Sequence, residues 1–246
     1  AGENINLRLG CGANLMGYYM YVGGSNPVGQ KRTYQSSGPR ISYDYQAPVR
    51  EFGTLGTVMQ ETKKYNYFMN DFGPSLAPAV AYLPTSNQKR ENLQWAVRTD
   101  GKSGYLFCSN ILYRRHRQDF KNVRFTVKLK DETLRIPRQR ITVSDKAYFL
   151  WPFNQSLGKT LLKYATVQPV CSMKEGNETT YFFFEDDGIA GEYFLSAEGI
   201  DKVETVHAAC RKEKNGWFIN ALRPGKDCVV TLNCTDGSIV RLVTSL

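Results

Sequence analysis

Two histidines in 246 residues leave little room for catalytic triads or a metal centre. His207-Ala-Ala-Cys210 has ligand-like spacing, yet zinc needs three or four ligands and His116 is the one other imidazole. No metal is expected. Leu157-Gly158-Lys159-Thr160 has the ending of a phosphate loop, but Phe153 stands where the backbone cradle requires glycine. Gly23-Gly24-Ser25-Asn26-Pro27 and Gly101-Lys102-Ser103-Gly104-Tyr105 both miss the last glycine of a nucleophile elbow. Gly10-Cys11-Gly12 lacks the third glycine of a dinucleotide fold. No cofactor is expected either.

The tyrosines carry more information. Tyr18, Tyr19, Tyr21, Tyr34, Tyr43 and Tyr45 crowd into the first 45 residues. On a strand, Tyr19 and Tyr21 would share one face and Tyr18 the other. A polar-tipped aromatic at the carboxyl end of a strand suits a sugar: the ring packs on C–H faces and the hydroxyl bonds a sugar hydroxyl or orients a carboxylate. Ordinary core packing is the competing reading.

The elements that would position these side chains divide the chain. Residues 14–24 (NLMGYYMYVGG) form an apolar aromatic run that predicts a buried strand. Residues 3–12 read as the end of a helix broken at Gly10 and Gly12, and residues 25–40 as a long loop. Thr57 with Gln60 has the pattern of a capping box, and Tyr65, Phe68, Met69 and Phe72 follow at helical spacing up to Gly73-Pro74. Residues 1–75 are thus α/β material, and the proline-punctuated residues 76–92 read as a linker. From about residue 93 short strand-like runs follow one another at 104–109, 122–130, 134–143, 147–153, 162–171, 179–186 and 191–195, then at 203–209, 216–221, 227–233 and 238–244. Turn signals separate them, among them Lys130-Asp131-Glu132, Asp187-Gly188, Lys214-Asn215-Gly216 and Asp236-Gly237. A mainly β protein is predicted, with a β-sandwich over residues 93–196 and a second or incomplete β-domain over 197–246.

The net charge of +9 is concentrated between Arg114 and Arg140, where ten Lys or Arg face three acids. Alternation across Val123 to Lys130 puts Val123, Phe125, Val127 and Leu129 on one face and Arg124, Thr126, Lys128 and Lys130 on the other. A solvated sheet face accounts for this; a polyanion-binding face is the rival. No nucleic-acid partner is expected, and no apolar run reaches the ~20 residues of a membrane span. Residues 1–13 have neither the basic nor the apolar region of a signal peptide. The six cysteines are too sparse for a disulfide scaffold, leaving two readings: free thiols throughout, or a Cys228–Cys234 pair.

Tyr18-Tyr19-Met20-Tyr21-Val22-Gly23-Gly24-Ser25-Asn26, followed by Ser42-Tyr43-Asp44-Tyr45-Gln46-Ala47-Pro48 with Glu51 and Gly53, resembles the family 35 glycoside hydrolases, the β-galactosidases. There the first segment is the eighth strand of a (β/α)8 barrel and the second is the loop after it. The later β-rich region, including 147–171, is similar to the post-barrel domains of bacterial members. The resemblance implies a C-terminal portion of such an enzyme: the last strand, loop and helix of the barrel, then β-sandwich domains. It implies that Tyr19 and Tyr45, with Tyr43 as a further candidate, bind a galactoside or related glycan. The resemblance puts the acid/base and nucleophile glutamates of the retaining mechanism on the fourth and seventh barrel strands, upstream of residue 1, and nothing in this chain nominates carboxyls ~5 Å apart to replace them. Glu51 and Asp186-Asp187 read as structural. This chain alone is therefore expected to be inactive, its partner the remaining barrel of the same polypeptide and its setting extracytoplasmic. Ser25, Pro27 and Gln46 depart from the family's usual Thr, aromatic and Asp. A non-catalytic carbohydrate-binding β-sandwich, using aromatics near Trp95, Trp151 or Trp217, is the alternative.

Overall fold

The structure, a computed structural model, describes residues 1–28, 41–186 and 188–246. The loop expected over 25–40 lies outside the described residues from position 29, as do Tyr34 and Asp187 of the Asp187-Gly188 turn. Strand outweighs helix, 46% to 14%, so the chain is mainly β. Two helices, α1 (Gly2–Gly10) and α2 (Thr57–Leu76), precede the strands. These are β1 (Val80–Tyr82), β2 (Gln94–Thr99), β3 (Gly104–Ser109), β4 (Phe120–Lys128), β5 (Thr133–Val143), β6 (Tyr148–Leu157), β7 (Thr160–Ala165) and β8 (Gln168–Glu175). Then come β9 (Glu178–Phe184), β10 (Tyr193–Ser196), β11 (Ile200–Val206), β12 (Ala209–Glu213), β13 (Gly216–Asn220), β14 (Val229–Cys234) and β15 (Ile239–Ser245).

An eight-stranded antiparallel sheet in the order β1-β2-β3-β6-β7-β10-β13-β12 forms the middle layer. On one face the β4–β5 hairpin packs over Leu106, Cys108, Phe149, Trp151 and Phe153, contributing Phe125, Val127, Leu134 and Ile136. The alternation read at Val123–Leu129 is what turns these apolar side chains inward. On the other face α1 and α2 cover Tyr105, Phe107 and Leu150, using Ile5, Leu9, Tyr65 and Phe68. Further along the same face sits a five-stranded sheet, β11-β14-β15-β9-β8. Its Val230, Leu232, Val240 and Leu242 meet Leu162, Tyr193, Leu195 and Ile219. Asn154 adopts φ +50, and a register shift falls opposite Phe194 and Leu195. Such irregularity re-aims side chains, so Phe153 and Tyr164 join the hairpin core while Leu157 and Leu162 join the other.

Several expected boundaries move. Residues 76–92 are no plain linker, because β1 pairs with β2 at the edge of the main sheet. Residues 1–75 share a core with β3 and β6, and the chain after 197 returns both to the eight-stranded sheet (β12, β13) and to β9 (β15), so strands of the two expected β-domains interleave. Helix α2 begins one residue after Gly56, which occupies the N-cap, so Thr57 makes no capping bond. It also runs through Pro74, a residue late enough to cost little, since one missing N–H near the last turn leaves most of the ladder intact. Arg98 joins these layers. It is 1% exposed, and its guanidinium donates to the carbonyls of Leu9, Ala13, Leu76 and Ala79 and to Asn14 Oδ1. All six cysteines are free thiols, which closes the Cys228–Cys234 alternative.

Candidate functional site

The tyrosine segment is not the buried strand expected at 14–24. A turn occupies Tyr19–Met20, and pairing with the second motif is limited to isolated bridges, Val22 to Val49 and Ser25 to Ser42. Main-chain bonds still dock the two motifs: Gly23 N donates to Val49 O (2.8 Å), Val49 N to Tyr21 O (3.0 Å) and Tyr43 N to Gly24 O (2.9 Å). A turn also breaks the two-residue alternation. Tyr18 and Tyr21 both face α2, the first donating to Asn66 Oδ1 (2.7 Å) and the second to Met59 Sδ (3.2 Å), with their rings 5.7 Å apart. Tyr19 alone of the three swings out, 95% exposed.

Glu51 holds the two motifs together by accepting from the Ser25 and Ser42 hydroxyls, which lower its pKa. Asp44 adds an Arg50 ion pair at 3.2 Å and accepts from the Glu51 N–H at 3.2 Å. The carboxylates of this loop are thus engaged in fixing its shape. Tyr45 and Gln46 both take left-handed backbone, φ +46 and +58, a turn that lifts the Tyr45 ring to the surface.

Tyr19 and Tyr45 consequently line one groove of ≈ 670 Å³, whose other walls include Arg8, Met16, Gln46 and Thr62. Its volume falls in the range of roughly 300–1,000 Å³ that suits small ligands. Tyr43 does not line it; the ring lies against Gly24, where a Cβ would stand 2.5 Å from the Tyr43 hydroxyl. Among the described residues, no carboxylate lines the groove. The exposed rings of Tyr19 and Tyr45 with the Tyr18 ring beside them, one guanidinium and amide groups can bind a polyhydroxylated ligand.

Carboxylates gather elsewhere, between α1, α2 and β6. Glu61 accepts from the Tyr148 hydroxyl and lies 3.8 Å from Lys64, while Ser109 donates to Glu3 at 3.3 Å. Asp186, structural on the sequence reading, has its Oδ2 buried without a hydrogen-bond partner. Burial outweighs the opposing pull of Lys64 and the Trp151 indole and leaves its pKa raised from 3.8 to about 8. Sequence reasoning missed this cluster because its members are far apart in the chain and no short motif joins them. It opens onto no part of the tyrosine groove.

Of the aromatics weighed for a binding module, Trp151 is fully buried and stacked on Phe149, with ring centroids 4.0 Å apart. Trp217 is half-buried under the Lys212 ammonium. Trp95 is half-buried against Phe125 and lines a second groove. Among the described residues, no helix is long and apolar enough to cross a membrane. Neither a family model nor a curated protein matches this sequence.

Proposed function

We propose that this chain is the C-terminal part of a retaining β-galactosidase-like glycoside hydrolase acting in an extracytoplasmic setting. In this reading residues 1–75 belong to the end of a catalytic (β/α)8 barrel. The observation that carries the reading is the convergence of Tyr19 and Tyr45, from two separate motifs, on one groove. A galactoside would pack its C–H face on these rings and exchange hydrogen bonds with their phenols. Exposed apolar side chains in the same segment are consistent with a further neighbour: Leu15, Tyr19, Phe52 and Leu55 are all more than two-thirds exposed. The rest of the barrel is the proposed cover, and it would bring the acid/base and nucleophile glutamates ~5 Å apart across the glycosidic bond.

The test has two arms. The isolated chain should show no turnover of a chromogenic β-galactoside. In the enzyme carrying the complete barrel, Tyr19→Phe and Tyr45→Phe should each lower kcat/KM about tenfold, the worth of one substrate hydrogen bond. Turnover by the isolated chain, or unaltered kinetics in both variants, refutes the assignment.

A further inference from the structure

On the opposite face of the eight-stranded sheet from α1 and α2, a second groove of ≈ 450 Å³ runs between β1 and the β4–β5 hairpin. The hairpin is only two strands wide, so it leaves β1 and part of β2 uncovered. Trp95, Val97 and Thr99 of β2 form the floor. Tyr82, 59% exposed, stands on one wall, and Lys128 and Lys130, both exposed, stand on the other. Trp95 is fixed by packing on Phe125, with ring centroids 5.3 Å apart, so the floor is rigid.

Charge selects among occupants. Among the described residues, neither Lys128 nor Lys130 is in an ion pair. Asp100 accepts from the N–H groups of Lys102 and Ser103 in its own turn, and Glu132 is held by Lys163 and Asn154. Asp131 does not line the groove. Lys128 and Lys130 thus line the groove at the rim of its aromatic floor, and among the described residues no carboxylate is paired with either. Lysines on a free strand edge oppose addition of a further strand, which argues against an extended peptide. An aromatic floor accepts the C–H face of a pyranose, and the flanking ammonium groups call for an anionic substituent on that sugar.

We propose that this groove is a binding site for an anionic oligosaccharide, with one pyranose ring against Trp95 and Tyr82 and its carboxylate or sulfate between Lys128 and Lys130. The site is separate from the tyrosine groove and does not depend on the barrel reading.

Calorimetric titration of the full chain tests this with four probes: trigalacturonate, a sulfated galactotriose, neutral galactotriose, and an oligothymidylate of matching charge. At least one anionic trisaccharide should bind about tenfold more tightly than the neutral one; which of the two does so identifies the charged group. Lys128→Gln with Lys130→Gln should erase that preference, and Tyr82→Ala should weaken the anionic trisaccharide about fivefold. All three side chains are exposed, and an unchanged circular dichroism spectrum verifies each variant's fold. Equal binding of neutral and anionic trisaccharides, indifference to either variant, or no glycan binding at millimolar concentration overturns the proposal. So does oligothymidylate binding as tight as the best glycan and indifferent to Tyr82→Ala, which would mark a plain polyanion surface.

Discussion

Replacing Arg98 by Met keeps most of the aliphatic stem and removes the guanidinium that ties α1, the end of α2 and β2 together. Its acceptors are not equivalent. Leu9 O also receives the Gly12 N–H at 3.0 Å, and Leu76 O the Ala79 N–H at 3.0 Å, so both stay bonded in the variant. The carbonyls of Ala13 and Ala79 and the Asn14 side chain lose a charged donor, Ala79 O losing two bonds at 3.0 and 3.1 Å. A buried carbonyl stripped of its partner costs about 1–3 kcal/mol, and Asn14 sits near enough to the surface to find water. The Ala79 carbonyl is buried and the Ala13 carbonyl only partly so, and with the desolvation no longer imposed on a buried cation set against them the loss is about 2–3 kcal/mol. Burial already lowers the Arg98 pKa, the physical sign of that desolvation. Urea titration followed in both the far and near ultraviolet measures the effect. The helical signal should be lost at lower urea than the aromatic signal, because α1 and α2 lose their anchor first. A loss below about 1 kcal/mol, with coincident transitions, would show that the guanidinium is not the joint.

Asp186 should make stability fall with rising pH. Its folded pKa of about 8 lies above the ordinary 3.8, so the folded state holds a proton that the unfolded chain releases. The stabilisation is complete below pH ~4 and is lost towards pH 8, and Asp186→Asn should flatten that decline in urea midpoints. Among the thiols, Cys11 is exposed whereas Cys108, Cys228 and Cys234 are buried. A colorimetric thiol reagent should therefore modify Cys11 first, and fast labelling of Cys108 would contradict the packing of β3 under the β4–β5 hairpin. Limited proteolysis should leave a protected fragment that begins at or before residue 57, because Tyr65 and Phe68 are buried against β3. A core starting near residue 93 would restore the division into separate halves.

Strands were legible where an apolar or alternating run was bounded by turn residues, even where, as in β3, both faces are buried. Residues 104–109 and 216–221 fall within a residue of β3 and β13, and the Asp236-Gly237 hairpin sits where the dipeptide placed it, Gly237 at φ +80. β2 escaped notice because Gln94–Thr99 carries Arg98 inside its buried stretch, a charge answered by carbonyls distant in sequence. β12 (ACRKE) is a polar edge strand with little apolar signal. The run 162–171 is two strands, interrupted at Thr166-Val167. At 14–24 the composition misled, because apolar content alone does not supply the neighbours a buried strand needs. Tyr19 and Tyr45 could be nominated from motif order, but their meeting depends on a turn and on two left-handed residues that no periodicity announces.

The five-stranded sheet carries one parallel contact, β15 running alongside β9 from Ile239–Glu178 to Ser245–Phe184. β15 also pairs with β14, so it is a wedge between the β8–β9 hairpin and the β11–β14 pair. During translation β8 and β9 leave the ribosome about sixty residues before the strand that seals them, and for that interval the Phe182–Phe184 edge has no neighbour. A nascent chain paused there presents a sticky border to chaperones or to a sister chain. Insertion of β15 is then the latch that ends this vulnerability, and slow codons ahead of residue 239 would lengthen it.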